Sequence, residues 1–145
     1  MKVRWSLLVA LALAQGAFAS DGASAARGRK LFEGEVALAA RIVGQDFGLP
    51  AEASRCVNCH GGPIASSSPA VSQRVGPALT RAALTDAVRR RGGPPSRYDD
   101  ASLCKLLRSG VDPAHVIILR TMPRYEISDA DCRSLWQHLT DPPAR

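Results

Sequence analysis

Two cysteines separated by two residues and followed at once by a histidine occur once in this 145-residue chain, in Arg55-Cys56-Val57-Asn58-Cys59-His60. A chain carrying this run folds around whatever those three side chains hold. The spacing sets two sulfurs on one turn of backbone, and the adjacent imidazole can swing beneath a ring that the sulfurs anchor. Cys-x-x-Cys-His is the pattern of covalent c-type haem attachment, in which two thiols add across vinyl groups and the histidine takes the proximal iron position. A redox-active Cys-x-x-Cys pair is the competing reading. The trailing His60, the lack of a βαβ pattern and an export signal all count against it. The expectation is one haem c per chain, held covalently by Cys56 and Cys59 with His60 on iron.

The export signal lies at the start. Lys2 and Arg4 precede an apolar stretch from Trp5 to Ala14, and Ala17-Phe18-Ala19 then supplies a small-x-small cleavage site before Ser20. The apolar stretch falls short of the roughly 20 residues of a membrane span, and no cysteine lies near the cleavage point to take a lipid. Cleavage after Ala19 leaves residues 20–145, one domain by length, with no integral membrane span expected in the mature form.

Charge says less. The full chain is formally +6, and the signal removes two of its basic residues. The densest basic run is Arg89-Arg90-Arg91. It reads as a solvated helix end or as a docking patch for an acidic redox partner. Nucleic acid is a poor partner, because no aromatic residues interleave with the arginines.

The chain has four cysteines. With Cys56 and Cys59 assigned to haem, Cys104 and Cys132 remain. An even remainder in an exported chain favours a disulfide between them. The alternative is two separate buried thiols acting as small hydrophobes. Two thiols alone do not complete a zinc site.

Periodicity predicts an all-α chain arranged around a prosthetic group. A helix starts near Ala26 and runs to about Glu33, and helical spacing continues from Val36 to Val43. Gly61 to about Gly76, with Gly61-Gly62-Pro63 and three serines, reads as loop. Leu79 to Arg91 reads as a helix capped by Thr80 and ended by Gly92-Gly93-Pro94-Pro95. Asp99 or Asp100 caps the next helix, whose Leu103, Leu106 and Leu107 form one face before Gly110. Val116-Ile117-Ile118-Leu119 is the only β-like run and reads as extended chain. In the last helix Ser128 is the N-cap, Asp131 the N3 partner, and Pro142-Pro143 the stop.

Loss of Met1 with the signal leaves one methionine, Met122, in Thr121-Met122-Pro123-Arg124-Tyr125. Pro123 fixes the backbone there, which suits Met122 as the second iron ligand. Met/His ligation raises the reduction potential relative to a pair of histidines. His115 and His138 are competing ligands, each read as a surface or packing residue. Gly76-Pro77-Ala78-Leu79 offers a carbonyl for the second imidazole nitrogen of His60. Tyr98, Tyr125 and Trp136 are candidates either for haem propionates or for the core boundary.

Five elements in order, Gly28-x-x-Leu31-Phe32, Cys56-Val57-Asn58-Cys59-His60, Gly76-Pro77-x-Leu79, Met122-Pro123-x-Tyr125 and Leu135-Trp136-x-x-Leu139, resemble those of class I c-type cytochromes, the bacterial periplasmic single-haem group. The resemblance spans nearly the whole mature domain. It implies a cytochrome c fold, with haem enclosed by short helices and loops, and outer-sphere electron transfer in the periplasm. It also implies an electron carrier or cytochrome subunit rather than an enzyme, serving periplasmic redox donor and acceptor proteins. Carried over, Gly28 permits a close helix crossing and Phe32 packs on Leu135 and Trp136. The Pro77 carbonyl accepts the His60 proton, and Met122 is distal. Two features depart from the family pattern. The segment from Glu33 to Arg55 is an extended N-terminal insertion, and the Cys104/Cys132 pair encloses Met122.

Overall fold

The two ends of the domain cross each other. A computed structural model describes residues 16–61 and 76–141. The proposed signal up to Gln15, the loop over 62–75 and the Pro142-Pro143 stop lie outside the described residues. Helix α1 runs Gly16–Glu33 and helix α5 runs Asp129–Thr140. They meet at Gly28, where a Cβ would fall 1.9 Å from the Ser134 carbonyl oxygen and 2.8 Å from His138 Cβ. Only a residue without a side chain permits that approach. Beside it, Ser24 and Ser134 hydroxyls lie 3.0 Å apart and Arg27 donates to Asp131 at 2.5 Å. Leu31 and Leu135, each 2% exposed, carry the crossing into the core.

Between these helices the order is β1 (Ala39–Arg41), α2 (Cys56–His60), α3 (Arg81–Thr85), β2 (Val88–Arg89), β3 (Pro95–Ser96), α4 (Asp100–Ser109) and β4 (Arg124–Glu126). The expected caps form. Thr80 accepts from Ala83 N–H, Asp99 and Ser102 make a reciprocal capping box on α4, and Ser128 accepts from Asp131 N–H. Asp131 does not complete a reciprocal box. Its carboxylate takes bonds from Arg27 and the Ser128 hydroxyl instead, and the Arg27 bond lowers its pKa. Gly110 closes α4 in the left-handed region at φ 75°.

The fold class is mixed, and the all-α expectation is corrected. Two small antiparallel sheets join the helices. β1 pairs with β4, with Ala39 opposite Glu126, Ala40 opposite Tyr125 and Arg41 opposite Arg124, and β2 pairs with β3. Residues 39–41 alternate exposed, buried, exposed, as a strand on a core surface does. The helical spacing read through Val36 to Val43 was a coincidence of many alanines. The helix expected to reach Arg91 ends at Thr85, and Arg91 and Gly92 then turn the chain back. Both have positive φ, 48° and 78°, and Gly93 N–H bonds to the Arg90 carbonyl at 2.8 Å. Two positive-φ central residues are the geometry of a primed hairpin turn. The β-like run at 116–119 forms no strand beyond an isolated bridge between Val111 and Ile117.

The predicted disulfide is present. Cys104 on α4 and Cys132 on α5 are joined, with Cα atoms 5.4 Å apart and a sequence separation of 28. Among the described residues no helix is long and apolar enough to cross a membrane.

Candidate functional site

The Cys-x-x-Cys-His run forms the single turn α2. Asn58 reaches back to the Glu52 carbonyl at 2.7 Å, and Gly61 N–H bonds to Val57 at 2.8 Å. These bonds fix both ends of the turn. The segment after the long loop is then pinned against it twice. Gly76 N–H donates to the Cys59 carbonyl at 3.2 Å, and His60 Nδ1 lies 2.8 Å from the Pro77 carbonyl oxygen. A carbonyl only accepts, so this contact makes Nδ1 the protonated nitrogen and leaves Nε2 with a free lone pair. The imidazole lies directly over Gly76, where a Cβ would sit 2.5 Å from Cε1.

His60 opens on an apolar cavity of about 390 Å³. That volume lies in the range of roughly 300–1,000 Å³ typical of cofactor and small-molecule sites. Its wall includes Phe32 from α1, Leu79 and Leu84 near α3, Leu103 and Leu107 from α4, Ile118 and Met122 from the loop before β4, and Leu135 and Leu139 from α5. A neighbouring cavity of about 210 Å³ shares Cys56, His60, Pro77, Arg91, Met122 and Tyr125 with the first and adds Cys59. Cys56, Cys59, His60, Pro77 and Met122 thus each line one or both spaces. The insertion supplies Ile42, Leu49, Ala53 and Arg55 to the second cavity, together with Leu119 and Thr121. It therefore lines the cavity to which Cys59 belongs. Leu119 itself is 62% exposed, so apolar surface continues outward from this cavity to solvent.

One part of the larger cavity's wall is polar. Arg90 and Arg91 line it with Tyr98 and Asp112. The Arg90 guanidinium lies 4.9 Å from the Tyr98 ring centre and donates to the carbonyls of Ala83 and Ser96. Asp112 is buried and accepts from Ala114 and Val116 N–H at 2.9 and 2.8 Å. Burial, then the Asp112 charge, raises the Tyr98 pKa. The triple-arginine run was expected at a helix end. Its place in a hairpin turns Arg90 and Arg91 toward the cavity instead. The Arg-Gly-Gly sequence carried that information, read as a helix stop when it was also a turn.

The remaining aromatic and histidine candidates take separate places. Tyr125 donates to the Ser54 carbonyl at 2.9 Å in a buried bond, so its hydroxyl is committed to the backbone. Trp136 packs against the core and lines neither cavity. Phe32 meets the His138 ring at 5.6 Å and lines the larger cavity together with Leu135. His115 is exposed at φ 61°, and neither it nor His138 lines either cavity. Met122 is the competitor that does.

Cys56 and Cys59 are free thiols. Burial pushes the Cys56 thiol up to about 11. A dithiol working by exchange needs the opposite shift, toward thiolate. Among the described residues no group of three or more His, Cys, Asp or Glu side chains could hold a metal ion. The donors at this cavity, one imidazole and one thioether beside two thiols, instead suit an iron carried in by a macrocycle. The apolar walls suit its faces, the free Nε2 suits its metal, and the arginines suit its carboxylates.

No protein-family model matches the chain, and no curated protein or solved structure matches it.

Proposed function

We propose that this chain is a single-haem electron-transfer protein of the class I c-type cytochrome kind. Cys56 and Cys59 would hold the haem, and His60 and Met122 would ligate its iron. The observation that carries the reading is the His60–Pro77 contact at 2.8 Å. It frees Nε2 in a histidine that shares its cavity walls with Cys56 and Met122.

Bound haem would supply a one-electron ferric/ferrous couple. The protein's own part is to hold and to exclude. Pro77 fixes the tautomer and orientation of His60. Leucines from α4 and α5 keep water from the cavity, which favours the less charged ferrous state. Arg90 and Arg91 offer cationic partners to propionates. The Met122 thioether on iron would leave no open position for substrate, so no acid–base pair is required. The N-terminal sequence and the Cys104–Cys132 disulfide support export to the periplasm with cleavage after Ala19, where the chain would act as a diffusible carrier or as the cytochrome subunit of an oxidoreductase. Its donor and acceptor would be periplasmic redox proteins.

The test is an optical and redox titration of the mature protein, produced alongside haem-attachment machinery, with Met122→Ala as control. The expected product carries one covalent haem, shows a ferric sulfur-to-iron band that Met122→Ala abolishes, and binds carbon monoxide only sluggishly until Met122 is removed. Rapid stoichiometric carbon monoxide binding by the unaltered ferrous protein would replace electron transfer with a haem enzyme or gas sensor. A chain that attaches no haem would sink both.

A further inference from the structure

Arg124 lies two residues beyond Met122 and is only 7% exposed. Among the described residues it has no carboxylate within ion-pair distance. A buried guanidinium without a counter-ion is costly, so its setting needs a reason. Two contacts define that setting. Nη1 donates to the Met122 carbonyl at 2.5 Å. The guanidinium also lies flat against Gly110, where a Cβ would fall 2.2 Å from Cζ, Nε and Nη2 alike. Gly110 is the left-handed cap of α4, and the C-terminal end of a helix carries partial negative charge. The guanidinium thus lies at that end of the helix, with the Met122 carbonyl as its hydrogen-bonding partner and Nε unpartnered among the described residues. The same cap accepts Ile118 N–H at 2.8 Å through its own carbonyl, so the chain leading to Met122 is held at both ends against one point of α4.

We infer that Arg124 is a positioning residue for Met122. It clamps the Met122 backbone to the end of α4 and so keeps the thioether at the cavity walls it shares with His60. Pro123 cannot supply a backbone N–H to do this, and β4 begins only at Arg124 itself. The inference rests on Met122 being an iron ligand.

The experiment uses the haem-loaded protein and titrates its ferric form with imidazole at fixed pH, following loss of the sulfur-to-iron band. Arg124→Leu removes every donor, and Arg124→Gln keeps one amide donor without the charge. Losing a charged buried hydrogen bond should let Arg124→Leu surrender Met122 at roughly tenfold less imidazole or lower. Arg124→Gln should fall between it and the unaltered protein. An unchanged imidazole midpoint in folded Arg124→Leu overturns the inference. Loss of folded haem protein in both variants overturns it too, since Arg124 is then a structural residue of the core. Absence of the band from the unaltered protein is a different failure, and it removes the ligand assignment itself.

Discussion

A Cβ on residue 76 would lie 2.5 Å from Cε1 of His60 and 2.7 Å from its Nδ1. The His60 imidazole thus rests on bare backbone, one residue before the carbonyl that fixes its tautomer. Gly76→Ala should displace the ring and lengthen the bond to Pro77. Forcing a methyl into a packed site costs about 1–3 kcal/mol. The urea midpoint of the haem-loaded protein should fall accordingly, and its reduction potential should shift. A variant with unchanged potential would mean that the ring has free room to move.

Gly28→Ala tests the helix crossing by its sign. In an exposed helix the change stabilises by roughly 1 kcal/mol. Here the added methyl would enter the Ser134 carbonyl, so the melting temperature should drop. A rise would show that α1 and α5 do not cross so closely in solution.

Replacing Cys104 and Cys132 together by serine opens a loop of sequence separation 28. Loop-entropy arithmetic puts the loss of stability at about 3–4 kcal/mol. Because the loop contains Met122, the ferric sulfur-to-iron band should also disappear at a lower temperature than in the unaltered protein. An unchanged band and unchanged melting would separate the disulfide from the distal ligand.

His138 gives the crossing a pH dependence. Burial lowers its pKa from 6.5, with Glu33 and Asp141 opposing the shift and Arg29 reinforcing it. The unfolded chain therefore takes up the proton first. Stability should decline as pH falls through about 6.5 and level off once the folded form is also protonated. Urea midpoints between pH 7.5 and 5.5 would measure the slope, and His138→Gln should flatten it. An equal slope in that variant would assign the effect to another group.

The grouping of the candidate residues was more legible than the fold. Cys56, Cys59, His60, Pro77 and Met122 could be picked out because the proposed attachment and ligation need particular atoms at particular spacings, and the structure gathers them at two neighbouring cavities. The disulfide followed from simple pairing of the two remaining cysteines. The strands were not legible. β1 and β4 have three residues each, too few for a period of two to stand out, and their partners lie far apart in sequence. The alanines at 37, 39 and 40 fit a helix by propensity, yet Ala40 is buried opposite Tyr125 by a pairing with no local signature. Arg90, Arg91 and Arg124 were missed for a related reason. A basic residue reads as solvent-facing unless the chain around it says otherwise, and here the reasons are a two-residue turn and the end of another helix.

The pairing of β1 with β4 sets an order of assembly. Ala40 cannot meet Tyr125 until nearly the whole chain is present, and α1 likewise waits for α5. Contacts of such sequence separation form late and slowly. The Cys-x-x-Cys-His turn, by contrast, is local and is complete 62 positions before Met122, counting along the sequence. Its thiols are therefore open to modification while the opposite wall of the cavity is still unmade. Closure of the β1–β4 ribbon and of the α1–α5 crossing would then come after, over a turn that on the proposed reading already carries its haem.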